Sequence, residues 1–246
     1  MPRIVAVIPA RLESTRLPRK PLRPIAGHPM IAWVYHHARR APSLDHVLIA
    51  TDSSEIVDYC REARIPVELT SAEHRSGTDR IVEVMGRVPA EIYANIQGDE
   101  PMVTAEHIEL MLGPFRESAD TQVSTLKVGI STEEARNPNN VKVVTDLSGR
   151  ALYFSRSLIP HDRESSGQVQ YYKHMGLYAY SAGALAKFRT LSPSTLERHE
   201  KLEQLRLLEN GVPIHVVETR EDTIGVDTEE DLKKVDELFR RQGYKL

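Results

Sequence analysis

Apolar residues along the chain fall into two alternating periods. A continuous apolar run at 4–8 is followed by Ile31, Val34, Tyr35 and Ala38 at i, i+3, i+4, i+7, then by a second apolar run at 47–50 and an amphipathic stretch at 55–64. Short runs at 67–69 and 92–96 alternate in the same way with helical patterns at 78–86 and 104–112. Gly113-Pro114 is expected to stop the latter helix. Strands that read as unbroken apolar runs, each separated by a helix, predict an α/β fold with a mostly parallel twisted sheet covered by helices.

After about residue 121 the pattern changes. Strand-like segments at 123–128, 141–145, 151–154 and 171–180 are separated by turn signals such as Asn137-Pro138-Asn139-Asn140 and Ser148-Gly149, and they predict antiparallel additions. A helix over 199–210 is expected from Leu202, Leu205 and Leu208 with Gly211 as its stop. A strand at 214–217 and a helix from Thr228 to Arg240 close the chain. The organisation expected is one domain over 1–246, with the pattern changing at about 121 and again at about 211.

The chemistry begins where the first strand ends. Residues 9–22 read Pro-Ala-Arg-Leu-Glu-Ser-Thr-Arg-Leu-Pro-Arg-Lys-Pro-Leu, so Arg11, Arg16, Arg19 and Lys20 face a single nearby carboxylate, Glu13, with hydroxyls from Ser14 and Thr15. Such a loop suits several phosphate oxygens, and ligands of open α/β sheets bind beyond the carboxyl ends of the strands. A solvated basic surface is the alternative reading.

Three further segments could join it. In Gln97-Gly98-Asp99-Glu100, Asp99 follows a strand and could hold a divalent cation beside phosphates, or could simply belong to a Gly-Asp turn. Asp227, in Gly225-Val226-Asp227-Thr228, could do the same or could cap the last helix. Ser76-Gly77-Thr78-Asp79-Arg80 enters a helix and could meet an anion or a nucleobase, although Thr78-x-x-Ile lacks the acid of a capping box. Arg156 and His174 lie on strand-like segments and could serve either structure or a site.

A net charge of −3 in 246 residues, with the cations concentrated locally, argues against broad nucleic-acid binding and for a small anionic ligand. The single cysteine, Cys60, rules out an internal disulfide. No run approaches the length of a membrane span, and no signal-peptide stretch precedes the first strand, so a cytoplasmic protein without membrane insertion is expected. No two of the 13 glycines are spaced G-x-G, which removes the dinucleotide fingerprint and argues against an oxidoreductase. No Walker loop is present either.

Taken in order, Pro9-Ala10-Arg11 through Pro21-Leu22, Ser76-Gly77-Thr78-Asp79-Arg80, Asn95-Ile96-Gln97-Gly98-Asp99-Glu100-Pro101, Asn137-Pro138-Asn139 with Val141-Lys142-Val143-Val144, Ala151 through Arg156, His174-Met175-Gly176, Leu202 through Arg206 and Gly225-Val226-Asp227-Thr228 resemble the 3-deoxy-manno-octulosonate (Kdo) cytidylyltransferase family. The resemblance spans nearly the whole chain. It implies a three-layer nucleotide-diphospho-sugar transferase fold, a mostly parallel twisted sheet with helices on both faces and a strand-rich dimerisation and sugar-binding portion. The nucleotide-binding part would lie at about 1–120, the sugar-binding and dimerisation part at about 121–210 and a return to the core at about 211–246. It further implies a homodimer that converts CTP and Kdo to CMP-Kdo and pyrophosphate with Mg²⁺, for lipopolysaccharide biosynthesis. By motif position it assigns Arg11, Arg16 and Lys20, assisted by Ser14, to the CTP phosphates, Ala10 to the nucleotide site, and Ser76, Gly77, Thr78 and Arg80 to the cytidine. Gln97, Arg156, His174, Tyr178, Glu203 and Gln204 are assigned to the acid sugar, and Asp99 and Asp227 to the metal. Lys20, Arg11, Arg16, Asp99 and Asp227 are thereby the catalytic group. Two departures from the family pattern are His161 after Ile159-Pro160 and Thr223-Ile224 before Gly225. A cytidylyltransferase for sialic acid or 8-amino Kdo, and a non-catalytic nucleotide-binding protein, are the alternatives.

Overall fold

The computed structural model describes residues 3–14, 16–74, 76–165 and 167–246, so the Thr15 hydroxyl lies outside the described residues. The chain forms two compact units, one made of 1–109 with 223–246 and the other of 110–222.

The first unit begins with β1 (Ile4–Ala10), in which Val5, Ala6, Val7 and Ile8 are wholly buried. A hairpin of β2 (Pro24–Ile25) and β3 (His28–Pro29) turns through Ala26 and Gly27, both at positive φ, the geometry of a type I′ turn. Then come α1 (Met30–Ala38), β4 (His46–Thr51), α2 (Ser54–Glu62), β5 (Val67–Leu69), α3 (Gly77–Met85) and β6 (Ile92–Asn95). The strands lie in the order β6-β1-β4-β5, all parallel, with α1, α2 and α3 packed against them. Strands joined by helical crossovers must run parallel, and strands covered by helices need no polar face, so the unbroken apolar runs follow from the topology.

The cap of α3 sits two residues earlier than the sequence pattern indicated. Ser76, not Thr78, accepts from the Asp79 backbone N–H, and the Asp79 carboxylate accepts from the Ser76 N–H, which completes a capping box. The next helix, α4 (Ala105–Glu117), also departs from expectation, because it runs through Gly113-Pro114. Pro114 removes one donor from the helix ladder. Its carbonyl still accepts from Ser118 N–H at 3.0 Å and Thr121 Oγ1 at 2.8 Å, so the last turn persists.

The second unit contains β7 (Val123–Ile130), α5 (Thr132–Arg136), β8 (Lys142–Thr145), β9 (Ala151–Ser155), β10 (Tyr171–Ser181), α6 (Ala182–Thr190), α7 (Thr195–Glu200), α8 (Gln204–Glu209) and β11 (Ile214–Thr219). β7 pairs antiparallel with β10 and parallel with β11, and β8 joins β10 to β9 in antiparallel pairs. β10 bulges at Gly176-Leu177, where its register against β7 shifts between Met175 and Tyr178. The single helix expected over 199–210 is two helices. Lys201 takes φ 56°, a left-handed conformation that ends α7, and Leu202 dips into the core before α8 starts.

Residues 223–246 return to the first unit and end in α9 (Glu229–Gln242), capped by Thr228 with Asp231 as the box acid. Its Leu232, Val235 and Phe239 share one buried cluster with Leu17, Ile25, Met30, Trp33 and Val226. Ile25 and Leu17 thus tie the segment after β1 to α9. The Trp33 indole N–H to Ile25 O, at 2.6 Å, and Ala26 N–H to the Asp236 carboxylate, also 2.6 Å, reinforce that tie.

Candidate active site

Two buried apolar residues place the charges. Leu17 and Val226 meet in the cluster above, and their chain neighbours Arg16 and Asp227 are then forced together, with Arg16 Nη2 3.0 Å from Asp227 Oδ2. Val226 N–H also donates to the Asp99 carbonyl at 2.9 Å, which brings the end of β6 beside the start of α9. The result is a three-residue constellation. Lys20 Nζ donates to Asp99 Oδ2 at 2.6 Å and to Asp227 Oδ1 at 3.0 Å, and its side chain is only 15% exposed. Burial alone would lower the Lys20 pKa, but Asp99 and then Asp227 outweigh it and hold the pKa above the usual lysine value. Lys20 is therefore a cation throughout the physiological range.

A cavity of about 390 Å³ opens over this group, lined by Ala10, Arg11, Ser14, Arg16, Gly77 and Gln97 together with Lys20, Asp99 and Asp227. Its floor is the carboxyl end of β1, where backbone approaches backbone. A Cβ on Gly98 would stand 2.7 Å from Pro9 O, and one on Gly77 would meet the Pro9 ring at 3.3 Å. A wider cavity of about 800 Å³ shares Arg11, Glu13 and Ser14 and continues past Asp52, Ser53 and Ala72.

The residues of the 76–80 loop divide by role. Gly77 faces the smaller cavity, whereas the Ser76 hydroxyl is engaged in capping α3. Thr78 and Arg80 are wholly buried. The Arg80 guanidinium donates to Asp52 Oδ2 at 2.7 Å and to Thr70 Oγ1, so it is committed to protein partners and holds in place Asp52, which lines the wider cavity. Arg11 donates to His74 O, and the Ser14 hydroxyl accepts from Leu17 N–H at 3.3 Å. Sequence reasoning missed Asp52. Its signal was a lone acid just after β4, the same strand-end position that marked Asp99.

Of the residues assigned to the acid sugar, Arg156, His174, Tyr178, Glu203 and Gln204 belong to the second unit and Gln97 to the first. His174 Nε2 lies 3.0 Å from Thr125 Oγ1, a hydroxyl that also reaches Met175 O and Leu177 O across the β10 bulge. Because that hydroxyl donates to a carbonyl, the network assigns the His174 proton to Nε2. Phe154 and Tyr178 flank the ring at centroid distances of 5.0 and 5.3 Å. Burial, with Lys173 adding to it, pushes the His174 pKa down to about 3, so this imidazole is a neutral hydrogen-bonding group. Burial, then Tyr180 and Glu203, raise the Tyr178 pKa well above its usual value. Gln204 is 5% exposed, and its Nε2 has no hydrogen-bond partner among the described residues. His161, the departure from the family pattern, is exposed.

Arg156 is fixed by carbonyls rather than carboxylates. Its Nε donates to Glu200 O at 2.8 Å and its Nη1 to Pro138 O at 3.2 Å, while its backbone N–H donates to Glu200 Oε2 at 2.8 Å. Beneath it Lys142, wholly buried, donates to the carbonyls of Asn137, Asn140 and Arg156. Burial and then Arg156 lower the Lys142 pKa, and Glu200 opposes them. Neither Lys142 nor Glu200 was singled out from the sequence. A Lys on a strand with apolar neighbours and a Glu on a helix carry no distinguishing pattern until the fold places them.

A parallel sheet with a cationic loop and an acid beyond its strand ends, met by a second acid at the start of α9 and with no glycine-rich phosphate loop, defines an α/β nucleotidyltransferase. The cytidylyltransferase family profile matches residues 5–220. A 3-deoxy-manno-octulosonate cytidylyltransferase of Acidobacterium capsulatum is 56% identical over 236 residues, covering 96% of each chain. One of Geobacter sulfurreducens is 47% identical, covering 96% of this chain and 99% of the relative. Among solved structures, a CMP:2-keto-3-deoxy-manno-octonic acid synthetase complexed with CTP superposes with a TM-score of 0.94 at 42% identity, covering 98% of this chain and 99% of that one. A putative glucose-1-phosphate thymidylyltransferase from Bacillus anthracis, at 16% identity and a TM-score of 0.69, shares the fold. The chain belongs to the cytidylyltransferase family, among its 3-deoxy-manno-octulosonate members.

Proposed function

We propose that the protein transfers CMP from CTP to the anomeric hydroxyl of Kdo, releasing pyrophosphate and supplying activated sugar for lipopolysaccharide assembly. The observation that carries this reading is the Lys20 ammonium held between Asp99 and Asp227 on the floor of the cavity at the β1 and β6 ends.

The donor set also fits Mg²⁺. Two carboxylates converge on one cationic position, which Lys20 occupies. Mg²⁺ characteristically takes one or two protein carboxylates and completes its shell with substrate phosphates and water. When bound by Asp99 and Asp227, the ion would neutralise triphosphate charge and polarise the α-phosphate.

The chain's own residues do the remainder. Arg11, Arg16 and Lys20 orient the triphosphate and offset the charge that grows on departing pyrophosphate. The sugar hydroxyl forms the new bond to the α-phosphorus as the bond to the β-phosphate oxygen breaks, and its proton leaves to solvent. No side-chain nucleophile is required. Asp52, fixed by Arg80, and Gly77 face the nucleoside. Arg156 pairs with the sugar carboxylate, and His174, Tyr178, Glu203 and Gln204 address sugar hydroxyls. A homodimer is part of the reading. The β8–β9 hairpin, whose Leu147 and Leu152 are fully and 63% exposed respectively, offers an apolar surface for a second copy. The reaction belongs in the cytoplasm, which suits a chain whose sole cysteine is a free thiol. No helix among the described residues is long and apolar enough to cross a membrane.

Pyrophosphate release measured with CTP, UTP, ATP and GTP, each with Kdo, 8-amino Kdo or sialic acid, tests the reading. CTP with Kdo is expected to dominate, with UTP used partially. Equal turnover of purine nucleotides, or a preference for either other sugar, would overturn it.

A further inference from the structure

Buried lysines are uncommon, because an ammonium loses its hydration, and the burial is tolerated only when each N–H finds an acceptor. Lys142 meets that condition fully. Its three donors reach three backbone carbonyls, Asn137 O at 3.1 Å, Asn140 O at 2.5 Å and Arg156 O at 2.7 Å. A lysine is chosen here over an apolar residue of similar size, so the three carbonyls are the purpose of the charge.

Those carbonyls belong to the support of one side chain. The 137–140 turn carries Pro138 O, which accepts from Arg156 Nη1, and Arg156 O is itself one of the three. Lys142 therefore ties the backbone that bears Arg156 to the turn that orients its guanidinium. Glu200 completes the frame through the Arg156 N–H and Nε. With Nε and Nη1 engaged, Nη2 is the guanidinium nitrogen that no described residue engages. The geometry points to Lys142 as a positioning residue that sets Arg156 Nη2 for the carboxylate of the acid sugar and so favours acidic over neutral sugars.

This inference rests on the proposed acid-sugar activation, and the test separates the two. Steady-state constants for CTP and for Kdo are compared in the wild type, Lys142→Met, Arg156→Gln and the double variant, with melting curves to verify folding. Lys142→Met is expected to raise the KM for Kdo about tenfold while kcat and the KM for CTP stay within about twofold. In the Arg156→Gln background the same substitution should add less than about twofold, because residues acting through one another are not additive. Should Lys142→Met fail to fold, Lys142→Gln, which retains a donor, is measured in its place with the same split expected. Equal rises in both KM values, a fall in kcat alone, or full additivity with Arg156→Gln would reduce Lys142 to a structural residue. A wild type that releases no pyrophosphate with any acid sugar would overturn the activity itself and the inference with it.

Discussion

Asp227→Asn and Thr228→Ala, adjacent substitutions at the start of α9, should separate charge from capping. The Thr228 hydroxyl accepts from Asp231 N–H at 3.2 Å, and the Asp231 carboxylate accepts from Thr228 N–H at 2.9 Å, so the cap belongs to Thr228 and Asp231. The Asp227 carboxylate is turned to Lys20 and Arg16, at 3.0 Å each. Removing the Thr228 hydroxyl should cost about 1 kcal/mol, the usual value of an N-cap. For a chain of this length that corresponds to a melting temperature lower by roughly 2–4 °C. Asp227→Asn keeps an acceptor oxygen and alters ion pairs whose carboxylate is 47% exposed, and such pairs contribute about 0–1 kcal/mol each. Its melting temperature should therefore move little. Activity should divide in the opposite sense. A neutral amide holds a hard cation weakly and leaves Lys20 one carboxylate short, so Asp227→Asn should lose roughly 10²-fold in turnover, the scale of one lost preorganised electrostatic group. Raised Mg²⁺ should recover part of that loss. Thr228→Ala should keep near-normal kcat. Melting curves and pyrophosphate release across a Mg²⁺ titration read both effects. Near-normal kinetics for Asp227→Asn at ordinary Mg²⁺, or an equal activity loss in Thr228→Ala, would refute the assignment of charge to Asp227 and of the cap to Thr228.

Asp99→Asn should resemble Asp227→Asn in its Mg²⁺ dependence, since both carboxylates share Lys20, and the same titration checks it. Lys20→Ala should lose roughly 10²-fold or more in turnover, because it removes the cation between two acids; full activity in the pyrophosphate assay would contradict the phosphate-loop role. Gly98→Ala sets a Cβ against Pro9 O at 2.7 Å and should destabilise by about 1–3 kcal/mol in urea denaturation, whereas Gly113→Ala, with open space around its Cβ in α4, should stabilise by roughly 0.5–1 kcal/mol. The His174 pKa is depressed in the folded chain, to about 3 against 6.5, so its contribution to stability is complete above 6.5 and is lost as pH falls towards 3. At pH 4.5 that loss is about 2–3 kcal/mol, and urea denaturation of His174→Gln beside the wild type at pH 7 and 4.5 should show a correspondingly smaller acid destabilisation in the variant.

Local pattern determined a good deal. The apolar runs of β1, β4 and β6 and the helical periods between them were legible because a parallel strand covered by helices has no polar face to interrupt it. The cationic loop and Asp99 were legible because each follows closely on a strand end, whereas Asp227 lies at the start of α9 and showed only the local chemistry of a helix entry. Elsewhere the pattern was incomplete. α7 buries no residue, so no hydrophobic period announced it, and Lys201 broke the expected 199–210 helix through a backbone conformation that carries no composition signal. The proline in α4 did not end the helix, and its own carbonyl is held by both Ser118 N–H and the Thr121 hydroxyl.

What joined these pieces was long-range packing. Lys20, Asp99 and Asp227 are separated by 79 and 207 positions along the chain from Lys20, and they meet because Leu17 and Val226 share one apolar cluster and Val226 bonds to the Asp99 carbonyl. Arg80 illustrates the reverse case. Its residue type suggested an exposed anion-binding group, but total burial beside Asp52 made it the support for another side chain. Sequence alone specifies which groups are available and the local element that carries each one. Whether a charge faces solvent, a ligand or a buried partner depends on which distant surfaces close over it, and tertiary structure alone decides that, because the desolvation of an ion is set by everything packed around it.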